Sequence, residues 1–214
     1  NVGASGNTAE VTTHVMTTDE VYVVHGSRYD AYGNYIGDSP DVTSVWDATP
    51  VYDAGDIVDV AGVSISFEPD NTGATGTITI DDPFNGVGVD DATGDMSVNV
   101  GVLDYILIRS ATGGGGIEVD TWALDTDNTL QLWAAGYDAD DNYISDISVT
   151  WATTGTLDAT PTPGTSTIFD PSTAPTSGTI TADDGAGHTD TTGTITVSVS
   201  ATASYVLITD TPGG

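Results

Sequence analysis

A ten-residue stretch of the sequence carries oxygen-bearing side chains at the spacing of a calcium-binding loop. The stretch reads YDADDNYISD, and it offers four candidate calcium ligands: Asp138, Asp140, Asn142 and Asp146. An EF-hand loop also needs Gly at its sixth position and Glu at its twelfth. Counted from Asp138, those positions hold Tyr143 and Val149. The EF-hand is therefore excluded. Two interpretations stay open: a looser calcium site, or an Asx-type turn between two strands.

A second group of acidic side chains surrounds a glycine-rich stretch, GGGG at 113–116, which we interpret as a flexible joint. The group comprises Asp104, Glu118, Asp120, Asp125 and Asp127. Calcium at a joint between domains would crosslink carboxylates that otherwise repel each other, and it would stiffen the joint. The alternative is solvated loop charge, since Asp is common in turns.

The sequence offers little for catalysis. Its three histidines, His14, His25 and His188, are far apart, and the first two align with tryptophans of an internal repeat. It contains no GxSxG, no HExxH and no phosphate-binding loop with its Lys. Paired carboxylates say nothing specific in a chain so rich in Asp. We therefore expect no enzymatic activity and no catalytic residues.

Aromatic side chains near acidic or amide groups suit sugar binding, and four are candidates: Trp122, Trp133, Tyr143 and Tyr35. The two tryptophans have no Trp at the equivalent positions of the other repeat copy. A function that a repeat carries should recur in both copies. We therefore rank a glycan-binding module as the alternative to a structural protein.

The charge of the chain excludes several classes of partner. The formal net charge is -30, Lys is absent, and the cationic side chains other than His are Arg28 and Arg109. Binding to nucleic acid or to an anionic membrane needs Lys and Arg, so neither is expected. Without Cys, no disulfide or thiolate metal site exists. So much negative charge favours a saline or calcium-containing extracellular setting, with a halophile's cytoplasm as the alternative.

The sequence contains two copies of one module. The segment from Glu10 to Asp38 aligns without gaps to the segment from Glu118 to Asp146, at an offset of 108 residues. The similarity continues through SVW and VTW, ISF and TIF, GTITI and GTITA, and finally DYILIRSATGG and SYVLITDTPGG. Repetition at a fixed period indicates tandem structural modules. We place the two domains at residues 1–112 and 113–214.

Within each module, apolar and polar residues alternate as they do in strands with one buried face. In DISVTW, for example, Ile147, Val149 and Trp151 share one face. We therefore predict an all-β fold class, two tandem Ig-like antiparallel β-sandwiches with about seven strands each. The predicted core residues are Trp46, Trp151, Phe67 and Phe169.

The pattern YDADDNYISD, VTW, TIF, GTITA and GTITVSV resembles the bacterial Ig-like (Big, invasin-type) repeat family. The first copy departs from that pattern at GDMSVNV and by an insertion around PVYDAGDIVDVAG. The resemblance implies tandem Ig-like domains in cell-surface adhesins, stalks or surface layers, and no enzyme.

We therefore predict a non-enzymatic, extracellular structural protein that forms part of an adhesin stalk, a surface layer or a self-assembling filament. The expected partners are further copies of the same module, with surface glycans as the alternative and calcium as the possible bound ion. Open edge strands of sandwiches can accept a strand from a neighbour. The segment AEVTTHVMTT at 9–18 is a candidate for such a donated strand, or else it is the first strand of its own domain.

Overall fold

The computed structural model of the chain describes residues 9–38, 45–48, 55–58, 63–82, 89–158 and 162–208. The regular secondary structure of these residues consists of β-strands. Within the same ranges, no helix is long and apolar enough to cross a membrane. The strands form antiparallel sheets with two parallel pairings, which confirms the predicted all-β fold class.

The chain divides into two units. The first comprises Asn1–Val102 together with Asp138–Asn142, and the second comprises Leu103–Tyr137 together with Tyr143–Gly214. The predicted boundary at residue 112 lies ten residues further along the chain than Val102. The difference arises because Tyr105–Arg109 pairs with a strand of the second repeat and therefore belongs to the second unit.

The first unit is built from short strands. In chain order they are β1 (Thr13–Thr17), β2 (Tyr22–His25), β3 (Ser27–Tyr29), β4 (Tyr35–Asp38), β5 (Val45–Ala48), β6 (Ile57–Val58), β7 (Ser64–Phe67), β8 (Thr75–Gly76), β9 (Ile78–Asp82), β10 (Val89–Ala92) and β11 (Asp95–Asn99). They pair in the orders β2-β7-β6, β3-β4, β1-β11-β8 and β10-β9-β5. Strand β6 comes from the insertion that the sequence comparison identifies.

The second unit repeats this arrangement. Its strands are β12 (Tyr105–Arg109), β13 (Trp122–Asp125), β14 (Leu130–Tyr137), β15 (Tyr143–Asp146), β16 (Thr150–Thr153), β17 (Ser166–Phe169), β18 (Thr176–Gly178), β19 (Ile180–Asp183), β20 (Thr189–Thr191) and β21 (Ile195–Ser198). Strand β14 pairs with β12, β15 and β17, and the other sheets have the orders β13-β21-β18 and β16-β19-β20. Strand β14 is continuous where the first unit has β2 and β3, because Ala134 replaces Gly26 and Gly weakens a strand.

An early strand and the last strand of each unit pair in parallel. Strand β1 runs beside β11, from Thr13↔Asp95 to Thr17↔Asn99. Strand β13 runs beside β21 in the same way. Segment 9–18 therefore contributes a strand to its own unit, so the donated-strand hypothesis for this segment is wrong and its stated alternative holds.

Each unit has its own core, formed where the inward faces of its sheets meet. Phe67 and Ile65 lie in the first core with Met96, and Phe169 and Trp151 lie in the second. Phe67, Phe169 and Trp151 are fully buried. The fourth predicted core residue, Trp46, is on β5, but its side chain lies outside the described part of the structure.

The glycine-rich stretch 113–116 is a turn within the second unit, so the flexible-joint interpretation is wrong. Three of its glycines have φ of 69–70°, a left-handed conformation that Gly adopts without steric cost. The Arg109 guanidinium donates to the carbonyls of Gly115 at 3.4 Å and Gly116 at 2.9 Å. One of the two arginines of the chain thus holds this turn.

Candidate functional site

A five-residue turn follows equivalent strands in the two repeats, at 30–34 and at Asp138–Asn142. In each turn the backbone N–H of the first residue donates to the carbonyl of the last, at 2.8 Å and 3.1 Å. Oδ1 of the first Asp accepts the backbone N–H groups two and four residues further on. Both stretches therefore form Asx turns.

The two turns differ in what surrounds the carboxylate. Asp30 is exposed, whereas Asp138 has an exposed fraction of 0%. Oδ2 of Asp138 accepts hydrogen bonds from Thr18 Oγ1 and from the Gly101 backbone N–H, both at 2.9 Å. Three donors from its own turn, two of them on Asn142, complete the set. Asp138 is therefore a buried anion at the centre of five donors, all within the first unit.

These donors keep the buried carboxyl ionised. Burial alone raises the pKa of Asp138, but hydrogen bonds from Gly101, Asn142 and Thr18 together outweigh burial, and its pKa lies below the usual value. The pKa of Asp30 is also lowered, by hydrogen bonds from the side chain and backbone of Asn34. A lowered folded-state pKa means that each carboxylate stabilises the fold above pH about 4, and that this stabilisation is lost as pH falls through the folded-state pKa.

Asp140 behaves in the opposite way. Its pKa is raised by partial desolvation and by repulsion from four other carboxylates, which are Asp138, Asp19, Asp70 and Asp141. A raised folded-state pKa means that the charge of Asp140 disfavours the folded state, and that this penalty is present at neutral pH and absent in acid.

We expect Asp140→Asn to stabilise the protein at pH 7 by up to about 0.5 kcal/mol, because the amide removes charge from an exposed, screened cluster. The gain should shrink in 1 M salt and disappear below pH about 4, where both folded and unfolded Asp140 are protonated. Urea unfolding at these conditions measures it. Asp95→Asn, on an exposed residue of β11, is the charge-matched control. An equal gain in the control would assign the effect to net charge and contradict the cluster.

The fourth residue of each turn has a left-handed backbone, with φ of 80° at Gly33 and 65° at Asp141. A β-branched side chain pays a steric penalty there, whereas Asn and Asp tolerate the conformation. We expect Gly33→Val to lower the free energy of unfolding by about 1–2 kcal/mol. Gly33→Asn should change it by less than about 0.5 kcal/mol. Urea midpoints compare the two variants, and equal losses would contradict the turn geometry.

Asp146, the fourth predicted ligand, lies on β15 in the second unit and holds a different turn. Its carboxylate accepts hydrogen bonds from Thr112 Oγ1 at 2.5 Å, from Gly113 N at 3.2 Å and from the Tyr143 hydroxyl at 3.0 Å. The hydroxyl contact recurs in the first repeat, where Tyr35 donates to Asp38 at 2.7 Å. Asp146 therefore caps the glycine-rich turn, and this hydrogen bonding gives the carboxylate a structural role that needs no metal ion.

The carboxylate oxygens of Asp138, the first candidate calcium ligand, already accept hydrogen bonds from protein donors. Asp138 has five donors, and a carboxylate has about four lone-pair sites. Asn142 directs its amide nitrogen, at 3.1 Å, toward that carboxylate. Among the residues that the structure describes, no group of three or more His, Asp or Glu side chains has the geometry to hold a metal ion. The residues do not fit calcium as arranged, and calcium binding stays a prediction.

Two members of the second acidic group, Asp125 and Asp127, make hydrogen bonds at the turn that follows β13. Asp125 Oδ1 accepts the Asp127 backbone N–H at 3.0 Å and the Asn128 side-chain amide at 2.6 Å. Asp127 in turn accepts a hydrogen bond from the Ser200 hydroxyl. These contacts favour the turn interpretation of these charges over a calcium crosslink.

The predicted glycan-binding aromatics and the histidines have structural surroundings. Trp122 packs against the second core, and Trp133 on β14 is half-buried. The ring of His14 stacks on Tyr22, with centroids 3.7 Å apart and planes 17° from parallel. Tyr35 lies edge-to-face with Tyr29, and Tyr143 lies edge-to-face with Tyr137, each pair with ring centroids 5.9 Å apart. The hydroxyls of Tyr35 and Tyr143 donate to Asp38 and Asp146.

Two contacts escaped the sequence analysis. Thr18 and Asp138 are 120 residues apart in sequence, and no spacing signal could have paired them. The other is His188, whose Nδ1 lies 2.5 Å from Asp184 Oδ2 and lowers the pKa of that carboxyl to about 2. The DDGAGH turn places these residues four apart, and that local signal could have found them.

The comparisons with known proteins give weak similarities. No protein-family model and no curated protein matches the chain. It is similar to solved structures of extracellular domains 3–5 of Drosophila OTK, immunoglobulin domains 1–4 of Sidekick-1 and tandem Ig repeats of Dlar. The TM-scores are 0.35, 0.30 and 0.24, at 10%, 9% and 12% identity, over 93%, 88% and 90% of this chain. The aligned part spans 67%, 49% and 95% of those chains. Because these TM-scores are low, the all-β fold is assigned from the strand pairing described above and not from these similarities.

Proposed function

We propose that the chain is a non-enzymatic structural segment of an extracellular surface protein, in which tandem Ig-like modules transmit tension along a stalk, surface layer or filament. The stalk and surface-layer roles in this proposal come from the resemblance of the sequence to bacterial Ig-like repeats. The observation that carries it is the parallel pairing of an early and the last strand in both units.

Parallel terminal strands suit tension for a geometric reason. When β1 is pulled at its N-terminal end and β11 at its C-terminal end, the two strands are sheared past each other. The hydrogen bonds of the ladder are then loaded together rather than one after another. In the second unit β12 precedes β13, so tension reaches the parallel pair β13–β21 through β12, which itself pairs antiparallel with β14. The β13–β21 ladder continues through a hydrogen bond from the Thr126 N–H to the Ser198 carbonyl at 3.3 Å. A high unfolding barrier under force is the property that a spacer needs.

The use of the charged groups also supports a structural role. Two of the four predicted calcium ligands, Asp138 and Asp146, already accept hydrogen bonds at their carboxylates. The donors lie in the adjacent turns and in neighbouring segments. The net charge of -30 keeps such a segment soluble and self-repelling in low salt, and salt screens it outside the cell.

A glycan array tests the structural role against the glycan-binding alternative. We expect no saturable sugar binding by the chain. Saturable binding that Trp122→Ala abolishes, with Ile168→Ala as an exposed-site control, would contradict the structural proposal. The two variants remove side chains of different exposure, so circular dichroism must show that both are folded.

Self-association and calcium binding belong to the same proposal and are measured separately. Analytical ultracentrifugation at high protein concentration in salt and calcium tests assembly, and a chain that stays monomeric would exclude the filament version. Melting curves with millimolar calcium and with chelator test the ion, since a ligand of the folded state raises Tm. A rise in Tm would show that calcium binds despite the occupied oxygens of Asp138.

A further inference from the structure

An apolar segment of the chain, 205–208, lies open to solvent. Its side chains, Tyr205, Val206, Leu207 and Ile208, have exposed fractions of 75%, 88%, 72% and 102%. Within the described residues, no strand pairs with this segment. A run of large apolar side chains exposed in this way marks a surface that binds another element.

The sequence of the segment identifies its kind of partner. SYVLITDTPGG, which contains segment 205–208, aligns without gaps to DYILIRSATGG, which contains β12. Strand β12 pairs antiparallel with β14, from Tyr105↔Tyr137 to Arg109↔Trp133. It completes the second core, because Ile106 and Ile108 have exposed fractions of 2% and 0%. A similar sequence is therefore buried or half-buried at 105–108, where it pairs with β14, and exposed at 205–208, where no strand of the described residues pairs with it.

We propose that segment 205–208 is the first strand of a further module of this repeat type, and that it pairs with the equivalent of β14 in that module. The partner surface is the sheet edge of an Ig-like module that follows in the same polypeptide. Backbone hydrogen bonds supply the attachment, and alternate apolar side chains select the partner. This inference does not depend on the proposed tension-bearing function.

The register follows from β12. Val206 and Ile208 take the positions of Ile106 and Ile108 and enter the core of the following module. Leu207 takes the outward position of Leu107, which is half-buried. A shift by one residue would place the wrong side chains in the core, so the register is specified by the alternation.

The test uses the full chain extended by a second copy of residues 115–214, since Gly214 aligns with Gly114. Hydrogen exchange read by mass spectrometry reports on the amides of 205–208. We expect these amides to exchange at least tenfold more slowly in the extended chain than in the 214-residue chain. Equal exchange in the two chains overturns the proposal. Protection that grows with concentration in the 214-residue chain indicates pairing with a second copy, and it overturns the assignment to a following module.

Variants show whether the protection comes from strand pairing. Val206→Asp with Ile208→Asp should unfold the appended copy as severely as Ile106→Asp with Ile108→Asp unfolds the second unit, whereas Leu207→Thr should have little effect. A third chain replaces Val206 with Ile and Thr209 with Arg, which restores the β12 sequence ahead of the appended copy. If the appended copy folds only in this third chain, the natural segment is not its first strand, and the proposal is overturned.

Discussion

Replacing Asp138 with Ala should lower the free energy of unfolding by about 3–5 kcal/mol, because buried donors lose their acceptor and each such loss costs about 1–3 kcal/mol. Two of these donors, Thr18 Oγ1 and the Gly101 N–H, come from outside the turn and lie 2.9 Å from Oδ2. Urea unfolding at pH 7 measures the loss. The loss should diminish below pH about 4, where protonation weakens the same carboxylate in the parent protein.

The matched control for this variant is Asp30→Ala in the first repeat. Asp30 makes the same turn but is exposed, so water replaces its oxygens and the loss should be much smaller. A double-mutant cycle with Thr18→Val isolates the side-chain contact. Equal losses for Asp138→Ala and Asp30→Ala would show that only the turn matters, and that the buried network contributes nothing.

Phe169→Ala should destabilise the second unit by about 3–5 kcal/mol, the usual cost of removing a large aromatic side chain from a packed core. Phe169 has an exposed fraction of 0%. It belongs to a core cluster whose residues, including Trp151, come from several sheets of the second unit. Phe67→Ala is the equivalent change in the first core and should have an effect of the same size there.

Hydrogen exchange shows which of the two units loses stability in each variant, whereas a single urea unfolding curve does not separate the units. In Phe169→Ala, protection should fall in β14 and β17, and in Phe67→Ala it should fall in β2 and β7. Ile168→Ala is the control, since Ile168 lies on the same strand as Phe169 and is exposed. Its effect should stay within about 1 kcal/mol. Comparable losses of protection in both units from either Phe variant would contradict the separate cores.

Alternation of apolar residues was enough to predict the sheets. Val149 and Trp151 share a buried face with Thr150 exposed between them, as the period of two requires. The repeat alignment also predicts equivalent turns, and Asp30 and Asp138 accept hydrogen bonds from the equivalent backbone N–H groups of Asn34 and Asn142. These features depend on residues close in sequence, which is why a sequence pattern contains them.

Features that depend on contacts between residues far apart in the chain could not be predicted from the sequence pattern. Nothing in YDADDNYISD distinguishes a carboxylate that binds calcium from one that binds Thr18, because the donor comes from another part of the chain. The division of the structure at Val102 and the predicted boundary at residue 112 differ for a similar reason. Glycine-rich stretches suggest joints, but a strand belongs to the unit whose sheet it enters, and β12 enters the sheet of β14.

Single-molecule pulling on the chain from its two ends tests the tension-bearing function most directly. We expect two separate unfolding events at high force. Each should release roughly 25–30 nm, because the parallel pairs enclose 87 residues from Thr13 to Asn99 and 77 residues from Trp122 to Ser198, and an extended chain spans about 3.6 Å per residue. Thr126→Pro removes one backbone donor from the β13–β21 ladder. It should lower the force of one event and leave the other unchanged. Unfolding of both units at low force, without discrete events, would contradict the proposal that the parallel strand pairs carry tension.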